Sequence, residues 1–380
     1  MPNTFGDDLQ FLQEFTDVLL LESPDGLGQV AVVPQWQGRV MTSTAGGPNG
    51  ASFGWINYEL IRSGELLPHI NAFGGEDRFW MGPEGGQYAI FFKAGDPFDL
   101  DHWQTPPVID TEPFDIVSSS KEEVVFSRSA SLENYSGSRF DLRIDRTIRM
   151  LPQTALKESL GVTLSEGCRF VAFESINTLT NTGESAWARD SGLLSIWILG
   201  MYNPSPQTRV VIPYNPDLDP ATVPIVNDSY FGKVPGDRLK VLDDVLLFSA
   251  DGAYRSKIGL NPQRAQRFLG SWDASGRALT IVEYNQPSTE AEYVNSMWEI
   301  QEEPYKGDVV NSYNDGPPEP GAKPMGPFYE LETSSPAAAL APGDQITHIH
   351  RTFHLLGDES LMNEIAENLL GVSLQEIETN

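Results

Sequence analysis

The sequence predicts an all-β, mainly antiparallel fold with a few short helices. Apolar runs of strand length recur along the chain, and they do not alternate with helical periods as a doubly wound α/β sheet requires. The 34 glycines and 28 prolines suit many tight turns between short strands. Phe140, Leu142 and Ile144 alternate with Asp141, Arg143 and Asp145, the period-two signature of a strand with one wet face.

A short helix comes first, with Leu9, Leu12 and Phe15 on its apolar face and Asp7 or Asp8 placed to cap it. Strands at 17–21 and 29–33 follow, and Pro24-Asp25-Gly26 supplies the turn between them. Residues 55–63 have helical character, ended by Gly64. A buried strand is expected at 87–92, bounded by Gly85-Gly86 and Gly95-Asp96-Pro97. Further strands are predicted at 170–180, 193–201, 241–249, 277–284, 328–333 and 346–356. Segment 302–327 is dense in Pro, Gly, Asn and Asp and reads as one long loop, either a lid or a surface crossover. Near the C-terminus Leu361, Ile365 and Leu369 fall at helical spacing, with Asp358 as N-cap and Gly371 just past the end. Ser373 and Glu376 then have capping-box spacing for a last turn. The chain, 1–380, reads as a single domain with a short helical segment at 358–378, since large β-folds often run long as one unit.

A formal net charge of −28 repels phosphate backbones and anionic lipid, so neither a nucleic-acid nor a membrane partner is expected. Cys168 is the sole cysteine, which excludes an internal disulfide and any multi-cysteine metal site. The N-terminus has no basic start and no apolar core of a signal peptide. The expectation is a cytoplasmic protein, or a periplasmic one if the chain is a trimmed mature form. Nothing in the sequence points to an oligomeric state.

Several motifs carry chemistry on paper. Gly50-Ala51-Ser52-Phe53-Gly54 matches the nucleophile-elbow pattern, which needs a strand, a tight turn and a helix inside a parallel sheet. The loop 46–50 precedes Ser52 and no βαβ rhythm surrounds it, so chance is the better explanation. His348, His350 and His354 share one face of a predicted strand. They form part of a metal site if Glu330 or Glu332 completes it, and otherwise a row of hydrogen-bonded histidines beside a groove.

The densest functional-looking stretch runs from Gly74-Gly75-Glu76-Asp77-Arg78-Phe79-Trp80 to Gly82-Pro83-Glu84-Gly85-Gly86. Arg78 offers a fork of donors for vicinal hydroxyls or a carboxylate, and Trp80 a flat face on which a pyranose can stack. Glu76, Asp77 and Glu84 are acceptors for sugar hydroxyls; the plain alternative is an ion-pair knot bracing a loop. Glu330 and Glu332 lie two apart on a predicted strand and point the same way. Such a pair divides into acid and base when its two environments differ, or else lines an exposed edge. Asn177 and Asn181 also share a face and can hold hydroxyl groups, although Asn181 fits simple turn chemistry.

Three stretches together resemble an uncharacterised branch of the galactose-mutarotase-like superfamily. They are 37–43 running on to Gly54-Trp55-Ile56-Asn57, then 73–92, and then Tyr329-Glu330-Leu331-Glu332-Thr333-Ser334-Ser335-Pro336 continuing through Pro342-Gly343 to His354. The last is similar to the C-terminal part of aldose 1-epimerases, where a Leu-Glu-Thr strand precedes a Pro-Gly turn and a final strand. The resemblance implies a β-supersandwich, a small-molecule carbohydrate as partner and no cofactor. It places the glutamate base on Glu332, with Glu330 as fallback. It also implies a histidine that protonates the ring oxygen. In mutarotases that residue follows a Thr-Asn run, but 177–183 contains no histidine, and His69 before the Gly-Gly run is the loose substitute.

The sequence therefore leads to a carbohydrate-binding protein, an aldose 1-epimerase-like isomerase with Glu332, Glu330 and His69 as its catalytic group. Arg78, Trp80, Glu84, Asp77, Asn177, His348 and His350 are the expected substrate contacts. A non-catalytic sugar-binding module and a metal-dependent enzyme acting on a modified sugar are the alternatives.

Overall fold

The computed structural model, which describes residues 3–380, turns this alternation into three antiparallel sheets. In chain order the first strands are β1 (Leu19–Glu22), β2 (Gln29–Val33), β3 (Arg39–Thr44), β4 (Arg78–Gly82), β5 (Asp115–Ser119) and β6 (Glu123–Glu133). Next come β7 (Arg139–Met150), β8 (Arg169–Asn181), β9 (Ser195–Tyr202), β10 (Thr208–Pro213), β11 (Leu239–Val241) and β12 (Val245–Ser249). The last are β13 (Ser256–Leu260), β14 (Phe268–Asp273), β15 (Ala278–Tyr284), β16 (Val310–Asn314), β17 (Tyr329–Ser334) and β18 (Gln345–Leu356). Among the described residues five short α-helices accompany them: α1 (Phe5–Phe15), α2 (Tyr58–Ser63), α3 (Pro107–Asp110), α4 (Glu359–Ile365) and α5 (Leu374–Thr379).

Strands β1-β2-β3 make a small sheet, and a ten-stranded sheet runs β11-β12-β10-β14-β15-β18-β8-β7-β6-β5. The third sheet has five strands in the order β13-β16-β17-β9-β4, so segments far apart in sequence lie side by side. Strand β7 shows how the layers form: its residues alternate between buried and wetter positions along its whole length. Phe140, Leu142, Ile144 and Ile148 pack into one core with Phe173 and Leu179 of β8, Phe79 and Met81 of β4, and Ile196 and Ile198 of β9. The ten- and five-stranded sheets are thus held face to face by apolar burial, the dominant stabilising term. On the other face of the large sheet, Leu361, Ile365 and Ile377 of the C-terminal helices cover Ala172, Leu279 and Phe353.

Most predicted elements are present, and the differences have local causes. Helix α1 begins earlier than expected and is capped by Thr4, not by Asp7 or Asp8. Thr4 Oγ1 accepts from the Asp7 amide at 3.2 Å, and the Asp7 carboxylate accepts from the Thr4 amide at 2.9 Å, a capping box. Residues 87–92 are not a strand. The amide of Ala89 donates to Gly86 O and that of Ile90 to Pro83 O, so the backbone turns while Phe91 and Phe92 are buried. The run 241–249 is divided between β11 and β12.

Segment 302–327 is not a structureless loop, because its middle is β16, a fully buried strand between β13 and β17. Its sequence, Val-Asn-Ser-Tyr-Asn, lacks apolar alternation because polar side chains on both its faces are buried. At the C-terminus Asp358 caps α4, Gly371 adopts a left-handed φ of 74°, and Ser373 with Glu376 closes the capping box of α5. Among the described residues no helix is long and apolar enough to cross a membrane.

Candidate active site

Within a strand, alternate residues share a face. On β17 that rule sends Tyr329, Leu331 and Thr333 toward the ten-stranded sheet, and Glu330 and Glu332 to the opposite side of the five-stranded sheet. Register carries neighbours onto the glutamate side. Arg78 and Trp80 on β4 stand opposite Leu199 and Trp197 on β9, which stand opposite Glu332 and Ser334. On the far side Asn311 of β16 pairs with Glu332, and Lys257 of β13 pairs with Tyr313, itself opposite Glu330.

The result is a buried cluster of acids and cations. Arg78 Nη2 lies 2.6 Å from Glu330 Oε1, and both side chains are almost fully buried. The Arg78 guanidinium also lies 5.0 Å from the Trp80 ring, within cation–π range. Glu332 Oε2 accepts from Trp197 Nε1 and from Lys257 Nζ, each at 3.0 Å. Lys257 lies close to two aromatic rings, 4.8 Å from Trp197 and 5.5 Å from Tyr230. Burial would lower the Lys257 pKa, but Glu332, Glu84 and Glu330 more than reverse this and raise it, so the ammonium is retained.

A roof of aromatic side chains closes over the face. Trp103 and Phe91, from the excursion after β4, stack with centroids 5.9 Å apart, and Trp298 stacks on Trp103 at 5.9 Å. Trp80 meets Trp197 edge-on at 5.6 Å. Glu84 enters beneath this roof, its amide donating to Ser296 Oγ. Burial pushes its carboxyl up to about 7, with Lys257 opposing and Glu332 reinforcing. Burial also raises Glu330, against the pull of Arg78. Four buried polar atoms here have no partner in the protein: Glu332 Oε1, Arg78 Nε, Trp80 Nε1 and Trp103 Nε1. A ligand that both donates and accepts hydrogen bonds satisfies such a set, and unsatisfied buried groups are costly. The rim is at Glu84, Trp298, Tyr230 and Lys257, all less deeply buried than the glutamate pair.

The structure thus brings Arg78, Trp80, Glu84, Glu330 and Glu332 together and leaves the other candidates elsewhere. His348 and His350 lie between the two sheets, where Thr333 Oγ1 bonds to His348 Nε2 at 2.8 Å and His350 Nδ1 at 2.9 Å. Thr333 is on the opposite face of β17 from Glu332, so these histidines do not share the acid site. Burial lowers His348 to about 3, helped by His350, and His350 to about 4, which keeps both neutral. His354 bonds to Glu76 and Thr280 in the same layer. Among the described residues no group of three or more His, Cys, Asp and Glu converges on a common point.

Asp77 and Asn177 also belong to the interior. Both bind the buried Arg146, Asp77 Oδ1 and Asn177 Oδ1 each at 2.6 Å. His69 is half-buried and holds the Trp103 carbonyl at 2.7 Å through Nδ1, so it braces the roof. Ser52 bonds to Thr42 at 2.6 Å in a loop. A cleft of about 940 Å³ lies away from the glutamates and is lined by Arg149, Cys168, Glu174 and Arg351. Lys257, Trp197, Trp103, Trp298 and Tyr230 escaped sequence reasoning, because only non-local pairing and loop packing bring them to the acids.

A profile of a family of unknown function, DUF6786, matches residues 3–380. The chain belongs to that family. No curated protein matches it. Among solved structures, Slr1438 protein from Synechocystis sp. PCC 6803 is similar at 11% identity and TM-score 0.52, over 90% of this chain and 96% of that one. A candidate aldose 1-epimerase from Escherichia coli K12 is similar at 14% identity and TM-score 0.50, over 90% and 99%. At such identities the likeness establishes the fold. This DUF6786 member has the galactose-mutarotase-like architecture expected from its sequence.

Proposed function

We propose that this DUF6786 protein binds a small sugar at the Glu330–Glu332 site and interconverts its anomers as an aldose 1-epimerase-like isomerase. The observation that carries the reading is the asymmetry of Glu332. Its Oε2 is fixed by Trp197 and Lys257, whereas its buried Oε1 has no partner and is free to accept the anomeric hydroxyl proton. General-base catalysis requires that reach, about 3 Å. The fixed Oε2 orients the carboxylate, and Lys257 offsets its charge.

Arg78, braced by Glu330, presents its unpartnered Nε as a hydroxyl donor. Trp80 adds an apolar ring and a free indole N–H, the mixed surface a pyranose needs. The two aldose 1-epimerase features in support are the Leu-Glu-Thr strand and the shared fold. A fold hosts many activities, so the chemistry rests on the site.

The test is polarimetry of freshly dissolved α-glucose and α-galactose with purified protein. Acceleration over buffer that vanishes in Glu332→Gln supports the proposal, and unchanged rates across a panel of aldoses overturn it. A non-catalytic sugar-binding module is the second reading, favoured by one fact: no histidine hydrogen-bonds to either glutamate among the described residues. Binding seen by calorimetry without faster equilibration selects that reading.

A further inference from the structure

Two donors grip Glu332 Oε2, Trp197 Nε1 and Lys257 Nζ, each at 3.0 Å, while the buried Oε1 has no partner in the protein. The O1 and O5 atoms of a pyranose are bonded to one carbon, as Oε1 and Oε2 are, so the two oxygen pairs are similarly spaced. A hydroxyl O1 seated on Oε1 therefore brings O5 within reach of the groups that flank Oε2. Of those two, the indole N–H donates a hydrogen bond but keeps its proton, whereas an ammonium can release one. Glu332 accepts one of the three N–H groups of Lys257, and among the described residues no other acceptor bonds to that nitrogen. The rings of Trp197 and Tyr230 flank it instead, 4.8 and 5.5 Å away. Tyr230 is itself clamped: its hydroxyl donates to Asp308 Oδ2 at 2.5 Å and accepts from Nδ2 of Asn311, the residue opposite Glu332 in the sheet, at 3.1 Å. The Lys257 side chain is 11% exposed and that of Glu332 is 0%, so the ammonium lies on the open side of the pair.

We infer that Lys257 is the acid of the site, its ammonium protonating the ring oxygen of the sugar while Glu332, to which it is bonded, takes the proton of the anomeric hydroxyl. This rests on the isomerase reading above and supplies the acid for which residues 177–183 hold no histidine. In ring opening, Glu332 Oε1 takes the proton from O1, the C1–O1 bond becomes a carbonyl, and the C1–O5 bond breaks with its electron pair passing to O5. Lys257 delivers a proton to O5 and becomes a neutral amine. After rotation about C1–C2 the steps reverse: the Lys257 amine recovers the proton from the O5 hydroxyl, Glu332 returns one to O1, and both residues are restored. The pair passes from carboxylate and ammonium to carboxyl and amine and back, so no uncompensated charge is ever created in the buried cluster. The exchange also times itself. Burial favours the neutral amine, and the carboxylates, Glu332 foremost, hold the ammonium against it. Once Glu332 is protonated its share of that hold is gone, and Lys257 becomes more acidic as O5 needs the proton.

The experiment measures kcat and KM for anomer exchange of α-glucose and α-galactose in wild type, Lys257→Arg and Lys257→Ala, with thermal melts to confirm that each variant folds. Lys257→Arg keeps a cation beside Glu332, but a guanidinium does not give up its proton in a protein. It should lose about 10²–10³-fold in kcat with KM little changed. Lys257→Ala should lose at least as much, and added methylammonium, seated in the space left by the side chain, should restore kcat by about tenfold or more. Tetramethylammonium, which carries the same charge and no transferable proton, should not. A folded Lys257→Arg that keeps its kcat would mean that charge alone suffices. An alanine variant restored no better by methylammonium than by tetramethylammonium would mean that no proton passes. Either result overturns the role of Lys257 and leaves the isomerase standing. A wild type with no activity on either sugar overturns both.

Discussion

Arg78 reaches past the intervening strand β9 to set its Nη2 2.6 Å from Glu330 Oε1 on β17, joining residues 252 positions apart in the chain. This contact ties the Gly-rich segment near residue 80 to the C-terminal acidic strand. It also places both on the face that Lys257 and Glu332 share.

Because both partners are buried, removing one leaves a charge without compensation. Arg78→Met should lower unfolding free energy by about 3–5 kcal/mol in urea titrations. Arg78→Met combined with Glu330→Gln should recover part of that loss. A single variant as stable as wild type would mean that the pair is open to water.

Lys257 is bonded to Glu332 while its ammonium lies close to the Trp197 and Tyr230 rings. Lys257→Met strips Glu332 of its cation, so both stability and any sugar turnover should fall, the rate by at least tenfold. Glu332→Gln should cut the rate by about 10²–10⁴-fold, the range for a positioned proton carrier. Polarimetry and thermal melts separate the two effects.

His348 and His350 titrate far below the ordinary histidine value in the fold, to about 3 and about 4, because burial penalises their charged forms. As pH falls below about 6.5, the unfolded chain takes up protons that the folded chain refuses, so these groups make stability decline toward pH 4. The His348→Gln/His350→Gln double variant should lose part of this decline. The measurement is the urea midpoint at several pH values, and equal slopes for both proteins would contradict the assignment.

The Gly50–Gly54 motif gives a contrast between packing and chemistry. A Cβ on Gly54 would sit 2.1 Å from the Met41 carbonyl oxygen, a backbone atom that cannot yield cheaply. Gly54→Ala should therefore destabilise by about 1–3 kcal/mol. Ser52→Ala removes one hydrogen bond to Thr42, costs about 1 kcal/mol and leaves sugar turnover unchanged. Loss of activity in folded Ser52→Ala would revive a nucleophile role.

The aromatic roof and the cation were the least legible parts of the site. Lys257 stands in Ser-Lys-Ile-Gly-Leu, a five-residue strand with no distinctive pattern, and Trp298 lies in a loop. Neither carries a local signal because each acquires its role only when distant segments pack against β17. The same limit explains why 87–92 was expected to be a strand: an apolar run demands burial, but burial is equally met by a turning backbone that inserts Phe91 beneath Trp103.

By itself the sequence determined the antiparallel β class, the capped C-terminal helices and the common direction of Glu330 and Glu332, because strand period and capping chemistry are local. Tertiary structure alone decided that His348 and His350 face the interior with Thr333 while the glutamates face Arg78 and Lys257. Both faces of the five-stranded sheet are buried here, so hydrophobic alternation could not mark which side packs on the partner sheet. That choice follows from non-local strand pairing, which no single segment encodes.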